Sequence, residues 1–255
     1  MARWPALIFQ CRVGAKLNSE RESTLKIAMH SLNTAFVTDF LGRIGLVILF
    51  GAIATIDTFA TAEMLRDPTG PHWLALANRF ASLAFAALVV GMTILRLKPI
   101  RSAVGIEPRI SALAGSFLSL TLVALPDTAH GTRLSVIALI LIVVGLILAT
   151  CVLLWLGRSY SIMAQSRRLV TRGPYAFVRH PLYLCEEISV IGLAINHFSL
   201  VALVIVGVQW LFQLRRMTNE EAVLHGTFPE YADYVARTPK IIPNILGGLR
   251  KFLLL

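Results

Sequence analysis

Two polar runs in this chain carry groups able to bind a charged ligand. One is Leu169-Val170-Thr171-Arg172-Gly173-Pro174-Tyr175-Ala176-Phe177-Val178-Arg179-His180-Pro181-Leu182-Tyr183-Leu184; the other is Arg216-Met217-Thr218-Asn219-Glu220-Glu221. The first gathers guanidinium, imidazole and phenol groups in a short stretch, and the second adds a guanidinium and two carboxylates. Charge-assisted hydrogen bonds from such groups suit a polar, ionised ligand. Flanked by apolar segments, the two runs suggest a cofactor pocket at a membrane surface.

The elements that must position them are membrane spans. Apolar residues make up 56% of the 255, charged ones 15%, and the mean hydropathy is +0.71, a balance that points to a multi-span membrane protein. The net charge of +10 raises nucleic-acid binding as the reflex reading. Basic loops facing the cytoplasm give the same number, and no nucleic-acid partner is expected. Cys11, Cys151 and Cys185 are odd in number and widely spaced, so neither a disulfide framework nor a metal site is expected. Residues 1–39 mix charges with scattered apolar residues and carry no signal-peptide pattern; a helix on the lipid surface is compatible with them.

Four runs are long enough to cross a hydrocarbon layer of about 30 Å: Phe40–Phe59, Trp73–Leu97, Ile110–Pro126 and Arg133–Gly157. A fifth, Leu182–Leu214, is broken by Asn196-His197-Phe198-Ser199, which reads as a tight turn with Ser199 as a helix N-cap. It splits into a short hairpin, Leu182–Ile195 and Ser199–Arg216, making six spans. Basic residues test this count. Those of the N-terminal segment, of the loop from Arg96 to Arg109, of the stretch from Arg158 to Arg179 and of the tail from Arg215 onward all fall on one side. Opposite loops hold only Arg66 and Arg133, which predicts cytoplasmic termini. Two crossings between His180 and Glu221 also return the chain to one face, so a single pocket can use both clusters.

Local signals refine the site. Gly173-Pro174 marks a turn, and Pro181 suits the first position of span five. Arg216 and Glu220 share a helix face at i, i+4. Gly226 reads as a helix stop, and Thr227-Phe228-Pro229-Glu230 has capping-box spacing. A short helix would then place Phe228, Tyr231 and Tyr234 as an aromatic row over the pocket.

These residues resemble the isoprenylcysteine carboxyl methyltransferase family, with its bacterial relatives and the wider phospholipid methyltransferase group. The resemblance runs from about Leu156 to Pro243. It rests on Gly157-Arg158-Ser159-Tyr160-Ser161, Gly173-Pro174-Tyr175, Arg179-His180-Pro181-Leu182-Tyr183, Arg216 with Glu220-Glu221-Ala222-Val223-Leu224, Phe228-Pro229-Glu230-Tyr231-Ala232-Asp233-Tyr234 and the Thr-Pro-Lys-Ile-Ile-Pro ending. Cys185 stands where the family commonly has glycine. The resemblance implies S-adenosylmethionine bound at the cytoplasmic face and a lipid-like methyl acceptor entering from the bilayer.

On that footing, Tyr175, Arg179, His180, Pro181, Tyr183, Glu221, Tyr231 and Tyr234 are the candidate cofactor-binding residues. Arg179 and His180 suit the cofactor's carboxylate, Glu221 its ammonium or ribose hydroxyls, and the tyrosines its adenine or sulfonium. Arg216 and Glu220 are the candidate catalytic pair. A carboxylate acceptor, the favoured one, needs only a cation such as Arg216 to orient it; an amine acceptor needs Glu220 as a base. Plainer readings stand beside these: topology-setting charges for Arg179 and His180, a solvated helix face for Glu220 and Glu221, interfacial aromatics for Tyr231 and Tyr234. Glu186 and Glu187 either cap a helix or line the acceptor route, and Arg79 has Asp57 or Glu63 as a prospective partner.

The expected fold is all-α, a polytopic transmembrane helical bundle with a cytoplasmic C-terminal cofactor pocket. Its expected organisation is a cytoplasmic segment 1–39, four transmembrane helices in 40–157, and a methyltransferase core with hairpin and tail in 158–255. The expected location is a bacterial inner membrane. The alternatives are an NADPH-dependent membrane reductase akin to sterol reductases, which carry a similar Arg-His-Pro-x-Tyr, and a non-catalytic membrane protein.

Overall fold

The computed structural model describes residues 40, 42–66, 73–126, 128 and 133–243. The N-terminal segment, Arg250 and Lys251 lie outside the described residues. The described residues from Leu46 onward form one compact unit.

The described chain is mostly helical. Four helices are long and apolar enough to cross a membrane: α1 (Gly42–Arg66), α2 (Trp73–Leu95), α4 (Arg133–Leu156) and α6 (Leu200–His225). The other elements are α3 (Glu107–Phe117), a 3-10 helix over Leu118–Ala124, α5 (Pro181–Asn196) and α7 (Tyr231–Arg237). Strand β1 (Arg101–Ser102) pairs antiparallel with β2 (Gln165–Ser166).

The run expected as a third span changes pitch midway. Eleven α-helical residues rise ~16 Å and seven 3-10 residues ~14 Å, so the pair extends about 30 Å. Leu125 closes it with extended backbone, ψ 155°, as a residue before proline does. The sixteen residues of α5 rise only about 24 Å.

Small residues let α4 and α5 pack with backbones close together. A Cβ on Gly192 would lie 2.6 Å from the Ala138 carbonyl oxygen, and one on Gly145 would lie 2.7 Å from the Ser189 amide. Gly192→Val is therefore expected to force the helices apart, at a cost of about 1–3 kcal/mol, read as a lower thermal midpoint in detergent.

The hairpin between α5 and α6 forms as its sequence predicts. Ser199 has φ −159° and ψ 164°, and its hydroxyl accepts from the Ala202 amide at 3.1 Å. His197 packs in the turn, its Nδ1 3.2 Å from the Pro126 carbonyl. Elsewhere, Asp57 accepts from Arg79 at 2.6 Å and from Ser82, settling which carboxylate partners Arg79.

At this end of α6 one local expectation holds and one needs correction. Gly226 ends α6 as expected, with φ −77°. Arg101 Nη1 donates to its carbonyl at 2.7 Å, and a Cβ there would meet that guanidinium, which would have to shift. Thr227 does not cap α7. Its hydroxyl donates back to the Val223 carbonyl at 2.7 Å, and the Phe228 amide bonds Leu224. Residues 227–228 thus remain wound onto the end of α6, too far back to cap the helix that starts at Tyr231.

Candidate functional site: a cleft and a cavity with a shared wall

Pro181 opens α5 with His180 as the preceding cap residue. Gly173 takes φ +63° in the turn before it, and any Cβ there would strike the Trp155 ring, so this turn needs glycine twice over. The tail then straps the segment down: the amides of Arg179 and His180 donate to the carbonyls of Pro239 and Lys240 at 2.9 and 3.1 Å.

The hairpin brings the two polar runs together. His180 Nε2 lies 3.0 Å from Glu221 Oε1, Arg179 Nε lies 3.3 Å from the same oxygen, and Lys240 Nζ is 3.5 Å from Oε2. Glu221 is thus the shared partner of a guanidinium, an imidazole and an ammonium group. Alongside, the Tyr183 hydroxyl donates to Glu220, whose Oε1 is 3.7 Å from Arg216 Nε. The His180 ring stacks on Tyr183 at 5.4 Å and 9°, and the Arg216 guanidinium covers Tyr183's ring at 4.4 Å. This makes an imidazole–phenol–guanidinium pile, with the cation inside the ~6 Å reach of a ring face.

A cleft of about 780 Å³, open to solvent at its mouth, lies beside this cluster. Its walls include Tyr175, Arg179, His180, Tyr183, Glu220, Tyr231 and Tyr234. Tyr231 is 1% exposed, and the Tyr234 hydroxyl donates to the Tyr175 carbonyl at 2.6 Å, so α7 is pinned over the cleft. Burial pushes the Tyr175 and Tyr231 phenols well up and that of Tyr234 up to about 12; all three are neutral at physiological pH. Arg179 Nη1 is buried and has no hydrogen-bond partner among the described residues.

A second cavity, about 970 Å³, lies among α1 to α6. Its lining is mainly apolar, with Glu186, Gln209 and Arg216 on one side. Tyr160 lines both spaces.

Most expected site residues therefore converge, with three differences in placement. Arg216 faces the second cavity rather than the cleft; Glu221 stands behind Arg179 and His180; Pro181 and Phe228 do not line the cleft. Glu186 and Glu187 do not cap α5 but accept from Gln213 (3.4 Å) and Gln209 (2.8 Å). Tyr160, Gln209 and Gln213 were missed, although Gln209, Gln213 and Arg216 form an i, i+4, i+7 polar stripe that the sequence shows.

The sequence has counterparts among known proteins. Residues 137–226 match the model of the isoprenylcysteine carboxyl methyltransferase family. The chain is 34% identical over 116 residues to the cobalt-zinc-cadmium resistance protein CzcN of Cupriavidus metallidurans, covering 45% of this chain and 53% of that one. It is 33% identical over 133 residues to the nickel-cobalt-cadmium resistance protein NccN of Alcaligenes xylosoxydans xylosoxydans, covering 50% and 62%. The protein-S-isoprenylcysteine O-methyltransferase of Xenopus laevis is 32% identical over 131 residues, covering 48% and 45%. The chain spans about half the length of the curated relatives it matches. The isoprenylcysteine carboxyl methyltransferase match takes in most of α4, the cleft's Arg179, His180 and Tyr183, and α6 through Glu221.

Proposed function

We propose that this chain is an integral-membrane methyltransferase that takes S-adenosylmethionine into the cleft under α7 and O-methylates the carboxylate of a lipid-like acceptor in the neighbouring cavity. The observation that carries it is the pairing of Arg179, with its unpartnered buried Nη1 on the cleft wall, and a cavity bounded by the Arg216 guanidinium across Tyr160.

The residues present fit the cofactor. Arg179 and His180 offer donors for an amino-acid carboxylate, and Tyr175, Tyr183, Tyr231 and Tyr234 offer ring faces and edges for adenine and a cationic centre. When bound, S-adenosylmethionine supplies an electrophilic methyl group, whose transfer to a carboxylate oxygen requires no proton removal. Glu221 holds Arg179 and His180 in place rather than meeting the ligand itself. Arg216 orients the acceptor carboxylate, and Glu220 holds both Arg216 and the Tyr183 hydroxyl. Because Glu220 is already engaged, a carboxylate acceptor suits the site better than an amine needing a free base. Tyr160 and Tyr183 limit water between the spaces, which favours an in-line displacement.

In this reading α3 with its 3-10 extension and α5 also cross, giving six spans. Residues 40–157 scaffold the methyltransferase core in 158–255, and the basic loops set cytoplasmic termini in a bacterial inner membrane.

Calorimetry on the detergent-purified protein tests the proposal. S-adenosylmethionine and S-adenosylhomocysteine are expected to bind saturably and to lose affinity in His180→Ala. Labelled methyl groups transferred to lipid extract are expected to be released by mild alkali, as esters are and methylamines are not. Saturable binding of NADPH alone would move the chain to the reductases.

A further inference from the structure

The second cavity is not a plain hydrocarbon sleeve. Gln209 on its wall is 2% exposed, and its Nε2 donates to the Gly115 carbonyl at 3.0 Å and to Glu187 at 2.8 Å. Those two acceptors fix which end of the amide is nitrogen. Its Oε1 is then a buried acceptor with no hydrogen-bond partner among the described residues. Leaving a buried acceptor unpaired is unfavourable, and here it is aimed into the cavity. Gln213 continues the stripe, accepting from Arg216 Nη1 and donating to Glu186, each at 3.4 Å. Gln209 and Arg216 are seven positions apart on α6, a rise of about 10 Å. The rest of the lining is mainly apolar, with Phe50, Phe85 and Leu146, beside Ser82, Ser116, Ser119 and Ser189.

We infer that the cavity takes an amphiphile whose hydrophobic portion carries a hydrogen-bond donor, a hydroxyl or an amide N–H, about 10 Å from its methyl-accepting carboxylate. A purely hydrocarbon tail would lie against the Gln209 oxygen and leave it unpaired. A donor at that depth pairs with it while the rest of the chain contacts the apolar wall. This rests on the methyl-transfer reading and narrows its acceptor class.

The test compares probes of one length in the full-length, detergent-purified protein, with tritiated S-adenosylmethionine as donor. The probes are octadecanoic acid, 2-hydroxyoctadecanoic acid and 10-hydroxyoctadecanoic acid, with N-acetyl-S-farnesylcysteine as a prenyl probe whose tail is hydrocarbon. The 10-hydroxy acid is expected to show kcat/KM about tenfold or more above the other acids and the prenyl probe. Gln209→Leu is expected to shrink that advantage, with S-adenosylhomocysteine binding reporting that the variant is folded. The wild-type ratio decides by itself if the variant does not fold. Equal turnover of the three acids, preference for the prenyl probe, or intact S-adenosylhomocysteine binding with no probe methylated would each overturn the inference. Absence of both binding and turnover would instead sink the methyltransferase reading beneath it.

Discussion

Arg216→Met is expected to lower methyl transfer about a hundred- to a thousandfold while S-adenosylhomocysteine affinity stays within about threefold. The split follows from placement. Arg216 is 2% exposed, lies over the Tyr183 ring and borders the acceptor cavity, not the cleft. It is the cation available to align a carboxylate against the cofactor, and losing orientation at the reacting centre costs rate rather than donor binding. Methionine keeps the bulk of the stem, so packing changes little. Arg216→Lys is expected to recover a small part of the activity, since an ammonium keeps the charge and loses the planar fork. Single-turnover rates alongside calorimetry check this. A parallel collapse of rate and affinity would place Arg216 in the donor site instead.

Glu221→Gln is expected to weaken S-adenosylhomocysteine binding about thirtyfold or more. The carboxylate neutralises Arg179, His180 when protonated, and Lys240 at 3.3, 3.0 and 3.5 Å. An amide leaves the largely buried Arg179 without its counter-charge, and breaking such a pair costs about 2–5 kcal/mol; the lower end applies because Glu221 is still 19% exposed. Lys240→Met removes only the outermost partner and is expected to change affinity less than about threefold. Should Glu221→Gln bind as tightly as wild type, the orienting role given to Glu221 is wrong.

Much of this was legible in the sequence because it depends on neighbours along the chain. Ser199 before an apolar helix, Pro181 at the first turn and Gly173-Pro174 each act on backbone within a few residues, and each does what its type dictates. The meeting of His180 with Glu221 was also readable, since hairpin length fixes which end faces which. What escaped depended on contacts between distant segments. Arg101 donates to the Gly226 carbonyl and Ser166 meets the Thr227 hydroxyl, and neither partner is signalled locally. The 3-10 stretch after Phe117 hid because hydropathy reports length in residues, not rise per residue. Gln209 and Gln213 were in plain view as a helical stripe, yet inside an apolar run they read as part of a span.

The strap formed by Pro239 and Lys240 against Arg179 and His180 also orders events in time. Synthesis proceeds from the N-terminus, so both arms of the α5–α6 hairpin leave the ribosome before the residues that accept the Arg179 and His180 amides. On the proposed function, the cleft wall carrying Arg179 and His180 is therefore completed last, by residues made after both arms of the hairpin.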